Sequence, residues 1–310
     1  RFIDDHRPEH AVVVGGGYIG LEMAEAFACV RGMKVTLLDK SPQVMNTFDP
    51  DMAELIGNAI RSIGTELRLG EGLTGFTSRD GRVSSVLTEN GEIPADMVIM
   101  GLGVRPNSSL AGEAGLKLSV RDSILADETM GTSHPAVWAA GDCASTTHLV
   151  SGKPFWVALG TVANKMGRVA GISMGGGSAS LRGVLGTAMS KHCDYEVART
   201  GLSEKEAAEL GLAFSSSVIK TKTRAGYYPG AEPMHVKLVG EDGTGRLLGG
   251  QIVGGQGAAK RVDIIAAALA AGMTVNDLVD LDLGYAPPFS MAWDPVQIAG
   301  RELLKKTGGE

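Results

Sequence analysis

Hydrophobic positions in the first hundred residues alternate between strand and helix patterns. The apolar run 11–14 predicts a buried strand that ends at Gly15, and residues 34–38 predict a second one. Residues 51–63 show a helical pattern. A helix is also predicted directly after Gly15, where apolar residues recur at helical spacing: Ile19, Met23, Phe27 and Val30. Strand, glycine turn, helix and strand in this order predict a βαβ unit with a parallel sheet and right-handed crossovers.

The pattern changes between residues 65 and 99. Strand-like pieces are interrupted at Asp80-Gly81 and at Asn90-Gly91, and both dipeptides are hairpin signals. Residues 97–100 form another apolar run, which predicts a return to the buried sheet. We therefore place a first, Rossmann-like domain at residues 1–106.

Residues 107–181 contain too few elements for a domain of their own. The pattern predicts one strand at residues 136–140 and one long helix at about residues 158–173. We interpret this segment as part of a domain whose remainder lies elsewhere.

Residues 182–310 change class. Strands are predicted at residues 214–222, 234–239 and 247–253, and helices at residues 258–271 and 275–281. A Glu241-Asp242-Gly243 turn joins two of the strands. Strands followed by helices indicate an α+β domain. The predicted fold class is thus α/β, with a partial middle domain and a closing α+β domain.

Composition excludes several classes of function. Acidic residues outnumber basic ones, 35 to 29, without a basic block, which argues against nucleic acid as a partner. The longest apolar run, residues 264–273, is too short to cross a bilayer and no signal peptide opens the chain, so we expect a cytoplasmic protein without a membrane partner. Cys29, Cys143 and Cys193 show no paired spacing. We expect no disulfide framework and no metal site, each thiol being a small buried hydrophobe.

Gly15, Gly17 and Gly20 have the spacing Gly-x-Gly-x-x-Gly between the first strand and the first helix. In a dinucleotide-binding turn, the first glycine makes the turn, the second lets the backbone approach a pyrophosphate, and the third packs helix on strand. The helix start at Tyr18 and Ile19 supplies unpaired N–H groups and a positive dipole for the phosphates. The spacing alone is a weak signal, because 44 of the 310 residues are glycine.

A second match serves as a control. Gly70, Gly72 and Gly75 have the same spacing, but no helix is predicted after them, so we discard this match. The first match has Asp39 at the end of the second strand, nineteen residues after the third glycine. A carboxylate there accepts hydrogen bonds from ribose hydroxyls and repels a 2′-phosphate, so we expect NADH to be preferred over NADPH. Lys40 beside it would soften that preference.

Motifs spread over essentially the whole chain carry a resemblance to one family. These are Gly15–Glu22, Gly101–Asn107, Ala139–Asp142, Thr200–Leu202, Arg224–Gly230 and Tyr285–Phe289. They resemble the flavin-dependent pyridine nucleotide-disulfide oxidoreductases, in particular the coenzyme A-disulfide reductase and NADH oxidase branch. The resemblance implies that FAD and NADH are the cofactors, with NADPH also accepted. It makes residues 107–181 the second part of an FAD-binding domain.

The resemblance implies roles near the nicotinamide ring for three residues. Glu22 corresponds to the family's acid beside this ring, although a solvated charge in the first helical turn is the alternative. Gly101 and Gly103 belong to a turn whose backbone crosses close to the same ring, unless it is an ordinary exit from a strand.

The resemblance also implies contacts with the flavin. Gly141 and Asp142 correspond to residues at the end of an apolar strand, where the aspartate hydrogen-bonds the ribityl chain. A helix-capping role for Asp142 is the alternative. The helix that starts near Leu159 and Gly160 corresponds to one whose N-terminus faces the flavin, and its dipole would stabilise negative charge on the reduced ring.

Residues 182–310 resemble the family's interface domain, which forms the homodimer and completes the partner's active site. Branch members place tyrosines there near the reactive sulfur, and Tyr285 with Tyr227 or Tyr228 match them. A tyrosine hydroxyl can donate to a thiolate or protonate a leaving thiol. Packing at the interface is the alternative role for these side chains.

The chain departs from the family pattern in two respects. The family begins with its own flavin-binding fingerprint followed by a redox cysteine; we find neither, and the first residue is Arg1, which suggests a fragment or a processed chain. Coenzyme A-disulfide reductases carry a lysine where this chain has Trp293, and an indole cannot pair with a phosphate.

We therefore expect hydride transfer from NAD(P)H through FAD to a small disulfide, as in coenzyme A-disulfide reductases. An NADH oxidase or peroxidase with an oxygen acceptor, and a polysulfide or persulfide reductase, are alternatives on the same scaffold. An inactive nucleotide-binding and dimerising module is the alternative of another class. A ferredoxin-reductase-like carrier is less favoured, because such proteins usually lack the closing domain.

Overall fold

The structure, a computed structural model, describes residues 1–307. Its strands in chain order are β1 (His10–Val14), β2 (Lys34–Asp39), β3 (Glu66–Leu69), β4 (Leu73–Arg79), β5 (Arg82–Thr88), β6 (Gly91–Pro94), β7 (Met97–Met100), β8 (Thr146–Thr147), β9 (Pro154–Phe155), β10 (Ala188–His192), β11 (Tyr195–Gly201), β12 (Phe214–Lys222), β13 (Pro233–Glu241) and β14 (Leu247–Gly254). Its α-helices are α1 (Phe2–His6), α2 (Tyr18–Glu25), α3 (Pro50–Ser62), α4 (Ser109–Glu113), α5 (Gly160–Met174), α6 (Glu204–Glu209), α7 (Val262–Ala271), α8 (Val275–Val279) and α9 (Pro295–Thr307).

A four-stranded parallel sheet organises the first hundred residues. Its order is β3-β2-β1-β7, and every residue of the central strand β1 is buried. Because parallel strands end at one edge, the loops after β1, β2 and β7 lie together there. The predicted α/β fold is confirmed, and this edge is where the predicted glycine turn and Asp39 meet.

Helix α2 packs on this sheet with a face that differs from the predicted one. Leu21, Ala24 and Phe27 are buried, whereas Ile19 and Val30 are 49% and 76% exposed. The helix widens into a π-helical turn at Ala26–Val30. A π turn holds more residues than an α turn and so rotates the phase of the side chains. The prediction assumed one uniform period and was wrong at Val30 for that reason.

The predicted hairpins form a separate three-stranded antiparallel sheet, β4-β5-β6. Asp80 and Gly81 both have positive φ, 52° and 73°, as a two-residue turn of this type requires. The discarded glycine match at Gly70 leads into strand β4 and not into a helix, which confirms its rejection.

The middle segment contains the predicted long helix, α5, but not the predicted strand at residues 136–140. Trp138 makes one isolated bridge, to Gly131, and the remaining backbone is irregular. A strand is stabilised by a continuous neighbour, and the described chain supplies none here. Asp142 therefore follows an irregular turn, which corrects the expectation that a strand delivers it.

The closing part is built on a five-stranded antiparallel sheet in the order β10-β11-β14-β13-β12. Helices α7, α8 and α9 join it in one core that includes Leu238, Ile252, Ile265, Leu278 and Leu303. This confirms the α+β class. The sequence did not predict β10, β11, α6 or α9. Strand β10 contains no Val, Ile, Thr, Tyr, Phe or Trp, and β11 lacks clean alternation of apolar and polar residues.

Two cysteines correct the expectation of unpaired, buried thiols. Cys29 is exposed, Cys193 is half-buried, and the two form a disulfide with their Cα atoms 6.2 Å apart. They are separated by 164 residues along the chain, so spacing in the sequence carries no information about their pairing. Cys143 is a half-buried free thiol.

Among residues 1–307, the structure has no helix that is both long enough and apolar enough to cross a membrane.

Candidate functional site

The glycine turn after β1 is shaped by two close backbone approaches. Gly15 has φ 112°, and a Cβ atom there would overlap the carbonyl group of Gly101. A Cβ atom on Gly20 would overlap the carbonyl oxygen of Gly15. Gly17 is different, because a Cβ atom would meet nothing within 4 Å and would project into open space. The first and third glycines are thus needed for the fold, and the second leaves room for a ligand.

A cleft of about 500 Å³, here called the glycine-loop cleft, opens at this edge of the sheet. It brings together six predicted residues: Gly15, Gly17, Asp39, Lys40, Gly101 and Gly103. It also contains Gly72 of the discarded glycine match and four residues that the sequence did not single out: Ser41, Asn46, Glu71 and Leu73. Open space above Gly17, main-chain amides at the start of α2 and a carboxylate across the cleft fit a dinucleotide.

Asp39 connects the glycine turn to the loop after β2. Its Oδ2 accepts a hydrogen bond from the Gly16 amide at 2.6 Å, and its Oδ1 accepts one from the Ser41 amide at 2.8 Å. Each carboxylate oxygen can accept a second hydrogen bond. Asp39 therefore holds the turn and keeps capacity for ribose hydroxyls, while the adjacent exposed Lys40 provides the positive charge at the cleft.

Glu71 is the main residue of this cleft that sequence reasoning missed. Arg68 donates to it from Nε at 2.8 Å and from a second nitrogen at 3.1 Å, and the hydroxyl of Thr88 also donates to it. These hydrogen bonds lower the pKa of Glu71 from an ordinary 4.5 to about 2. The available signal was the rejected glycine match, since Glu71 lies between its first two glycines. That match marks a wall of the cleft, although it does not bind phosphate as a helix start would.

A second cleft of about 450 Å³, here called the inter-domain cleft, is lined by Val104 at the end of the loop 101–104. It is lined by Tyr18 from the glycine turn, residues 154–159 from the middle segment, and Arg199 and Glu206 from the closing part. The Tyr18 hydroxyl is buried without a hydrogen-bond partner in the described residues, and burial raises the pKa of Tyr18. An unpartnered polar atom in a cleft is available to a bound group.

Helix α5 begins at the edge of the inter-domain cleft. Leu159 is its N-cap residue, and its side chain offers no hydrogen-bond acceptor to the free amides of the first turn. Gly160 is exposed, and a Cβ atom there would meet nothing. This open helix start and the Tyr18 hydroxyl fit one side of a flavin ring, as far as the described residues form that site.

Four other predicted residues, described next, lie outside both clefts. Asp142 is exposed, and its backbone carbonyl accepts a hydrogen bond from Trp156 Nε1 at 2.8 Å. Gly141 precedes it with φ 84°. Glu22 is exposed on the first turns of α2, as Ile19 is, and neither lines a cleft. Their cofactor roles stay predictions.

The three predicted tyrosines lie on the surface of the closing part, where two of them are adjacent to each other. Tyr227 and Tyr285 are 78% and 50% exposed, and the neighbouring Tyr285 hydroxyl raises the pKa of Tyr227. Their loops are joined by a hydrogen bond from the Ala225 amide to the Pro287 carbonyl. Tyr228 lies beside the pair at 36% exposure.

A positively charged side chain lies beside Trp293. The guanidinium of Arg301 lies 4.7 Å from the centre of the indole ring. This is cation–π geometry, so the indole holds a cation at the surface where the family's coenzyme A-disulfide reductases have a lysine. A cation that can pair with an anionic group is therefore present beside Trp293.

Two family models match the chain. Residues 1–167 match the pyridine nucleotide-disulphide oxidoreductase family, and residues 187–295 match the dimerisation domain of the same family. A curated relative, the NAD(P)H sulfur oxidoreductase (CoA-dependent) of Pyrococcus furiosus, is 41% identical over 98% of this chain and 68% of its own length.

Two solved structures resemble the whole described fold. The NAD-dependent persulfide reductase from A. fulgidus has a TM-score of 0.94 at 40% identity, over 99% of this chain and 57% of that one. The reduced CoADR-RHD of Bacillus anthracis has a TM-score of 0.93 at 38% identity, over 99% of this chain and 55% of that one. This chain thus spans a little over half the length of these two proteins. It belongs to the pyridine nucleotide-disulphide oxidoreductase family.

Proposed function

We propose that the chain is part of a flavin-dependent oxidoreductase that passes hydride from NAD(P)H through FAD to a small disulfide. The observation that carries this proposal is the loop 101–104, which borders both clefts: Gly101 and Gly103 line the glycine-loop cleft, and Val104 lines the inter-domain cleft. A dinucleotide bound along the first cleft would extend its nicotinamide toward the second. FAD, when bound, supplies the acceptance of hydride from NAD(P)H and the donation of two electrons to sulfur.

On this proposal, the first cleft holds the nicotinamide cofactor. Main-chain amides between Gly15 and Gly20 bind the pyrophosphate, and Asp39 accepts hydrogen bonds from the adenosine ribose. Lys40 can pair with a 2′-phosphate, which supports use of NADPH beside NADH. Glu22 orients the amide of the nicotinamide as it passes the helix start.

The second cleft and the start of α5 would hold the flavin. Asp142 accepts hydrogen bonds from the ribityl chain, and the amides after Leu159 face the pyrimidine edge of the ring. Tyr18 lies between the two clefts, where its hydroxyl can donate to a bound cofactor.

Tyr285, with Tyr227 or Tyr228, would act on the sulfur acceptor in the active site of a partner subunit. A phenolic hydroxyl can protonate a leaving thiolate, and the paired Tyr227 and Tyr285 hydroxyls are exposed where a second copy could meet them. The match of residues 187–295 to a dimerisation domain supports a homodimer.

A polysulfide or persulfide is the second candidate acceptor. The observation that favours it is Trp293 in place of a lysine, together with the sulfur and persulfide reductase names of the two relatives at 40–41% identity. Arg301 over the indole still provides a cation for a coenzyme A moiety, so we keep a disulfide of the coenzyme A type as the first candidate.

We also propose the domain limits 1–106, 107–181 and 182–310. The distribution of the hydrophobic cores supports them, since most residues of each range share one core: Leu37 and Ile56 the first, Met130 and Met166 the second, and Leu238 and Ile265 the third. The cores meet at the boundaries, where Val197 and Val253 join the first core and Val150 joins the third.

Calorimetry and anaerobic kinetics test the function in two steps. We expect heat of binding with NADH, weaker heat with NADPH, and loss of both in the Gly17→Ala variant. In a longer version of the chain that carries the family's flavin-binding fingerprint and redox cysteine, NADH consumption under argon should depend on coenzyme A disulfide or on polysulfide. A folded chain that binds neither reduced coenzyme would refute the proposal, and consumption that requires dioxygen would favour an oxidase.

A further inference from the structure

The Cys29–Cys193 pair joins two parts of the molecule that are built on separate sheets, β3-β2-β1-β7 and β10-β11-β14-β13-β12. Cys29 lies in the π-helical turn that extends α2, and α2 begins at the glycine turn. Cys193 lies at the tip of the β10–β11 hairpin with φ 51°. The Cα–Cα distance of 6.2 Å is within the ordinary range of a disulfide. The two thiols are therefore placed for a covalent link between the nucleotide-binding part and the closing part.

The hairpin is held on α2 independently of the sulfur atoms. The amide of Cys193 donates to Glu25 Oε1 at 3.0 Å, and Nδ1 of His192 lies 3.2 Å from the carbonyl oxygen of Leu21. His192 is buried at this contact. Because these contacts do not involve the sulfur atoms, we expect the two thiols to stay adjacent when the disulfide is open.

Exposure differs between the two cysteines in a way that suits thiol–disulfide exchange. Cys29 is exposed and can be reached by a small molecule, whereas Cys193 is half-buried behind it. Exchange requires an accessible sulfur that a solution disulfide can approach and a second thiol that resolves the mixed disulfide. Cys143, the third cysteine, lies in the middle segment, and its thiol contacts the Ala140 carbonyl at 3.5 Å. In the described chain it is a free cysteine without another cysteine beside it.

We propose that Cys29 and Cys193 form a reversible dithiol–disulfide site that exchanges with small disulfides and so opens and closes a covalent staple between the two parts. The Cys29 thiolate attacks one sulfur of RSSR, which forms Cys29–SR and releases RS⁻. The Cys193 thiolate then attacks Sγ of Cys29, forms the Cys29–Cys193 bond and releases the second RS⁻. The two thiol protons end on the released thiols. The protein loses two electrons and RSSR gains them.

The proposal rests on the proposed function for one point only, the class of oxidant that the protein meets. A reductase of small disulfides works in their presence, so the staple would close when the substrate is abundant and its thiol product is scarce. In a reducing compartment, permanent structural disulfides are rare, whereas exchangeable ones follow the local thiol pool. Closing a loop of this length should also raise the thermal midpoint, by roughly 5–15 °C.

The test needs no nicotinamide and no flavin. The reduced chain is incubated with oxidised glutathione, quenched with N-ethylmaleimide in denaturant, and analysed by intact and peptide mass spectrometry. We expect one alkylated cysteine instead of three, a peptide link between Cys29 and Cys193, and full reversal by dithiothreitol on the folded protein. Cys143→Ser should retain the link, and Cys193→Ser should retain glutathione on Cys29 because the resolving thiol is absent.

Three outcomes would overturn the proposal. The first is three alkylated cysteines in a chain that circular dichroism shows to be folded. The second is glutathione that stays on Cys29 in the chain without substitutions. The third is a link that dithiothreitol opens only after the chain is unfolded. Binding of NADH is measured in parallel by calorimetry. Failure of the proposed function would abolish that heat and leave the mass-spectrometric result intact, so the two failures are distinguishable.

Discussion

Gly15 and Gly17 stand two residues apart in one turn, yet their environments predict opposite consequences of adding a methyl group. At Gly15, φ is 112° and the added atom would overlap the Gly101 carbonyl, so we expect Gly15→Ala to lower the free energy of unfolding by about 2–4 kcal/mol. At Gly17, φ is −85° and the space is open, so Gly17→Ala should fold normally. The methyl group would lie where the pyrophosphate approaches, and NADH binding should weaken at least tenfold. Urea unfolding and calorimetry measure the two effects.

The two variants control each other. A Gly17→Ala chain with unchanged stability and unchanged NADH affinity would show that the open space above this residue is not the phosphate site.

Glu71 makes stability depend on pH in the acid range. Its hydrogen bonds from Arg68 and Thr88 lower the folded-state pKa from 4.5 to about 2, so this carboxylate stabilises the fold fully above pH 4.5. The contribution is lost as pH falls from 4.5 toward 2, when the unfolded chain takes up the proton first. We expect it to be about 1–2 kcal/mol, because Arg68 is partly exposed and the pair is screened.

Glu71→Gln should therefore remove part of the acid dependence. Denaturant unfolding of both chains between pH 3 and pH 7 should give curves that converge at low pH and separate at neutral pH. Parallel curves would mean that the pKa of Glu71 is not lowered in the folded chain.

At the scale of elements, strand β13 reaches the nucleotide-binding part through one buried lysine. Nζ of Lys237 lies 2.8 Å from Asp51, 2.9 Å from Glu204 and 3.3 Å from Asp49, and its side chain is 1% exposed. Asp49 is the N-cap of α3 and also accepts a hydrogen bond from Gln251 of β14. Burial alone would lower the pKa of Lys237, but the hydrogen bonds to Asp51 and Glu204 more than offset it and hold the pKa above its usual value.

Lys237→Met should be strongly destabilising for this reason. It keeps the volume of the stem but leaves three carboxylates around a site without a cation, and removal of one partner of a buried pair costs about 3–5 kcal/mol. Lys205→Met is the matched control, because Lys205 makes a solvent-exposed pair with Glu209 at 3.9 Å and should change stability by less than about 0.5 kcal/mol. Equal losses in urea unfolding would refute the structural role of the buried cluster.

The sequence predicted those elements whose signals are local. The turn at Gly15, the Asp39 carboxylate and the hairpins at Gly81 and Gly91 follow from backbone requirements that a few neighbouring residues reveal. It failed where the cause is a distant contact. Strand β11 is specified by pairing with β14, and Glu71 enters the cleft because β3 lies beside β2.

The cysteine pair was missed on the same grounds, since only the docking of the β10–β11 hairpin on α2 brings the two sulfurs together. The predicted buried face of α2 was partly wrong because a π turn interrupts the helical period. The amino-acid composition does not indicate such a turn. Both errors concern residues whose position depends on the whole fold.

At the scale of the whole molecule, exposed aromatic residues on the closing part predict self-association. Phe289 is 75% exposed and lies in the same loop region as Tyr285, whose hydroxyl neighbours that of Tyr227. Exposed aromatic side chains in neighbouring loops favour an interaction surface, so we expect light scattering to give twice the chain mass of 32.2 kDa. Phe289→Asp should shift the mass toward one chain, because it places a charge in the buried centre of the contact.

Phe76→Asp is the control. It alters another exposed phenylalanine, on strand β4 at 49% exposure, and should leave the mass unchanged. A dimer insensitive to Phe289→Asp would mean that the copies meet through another face, and the tyrosine pair would then have no route into a partner's active site.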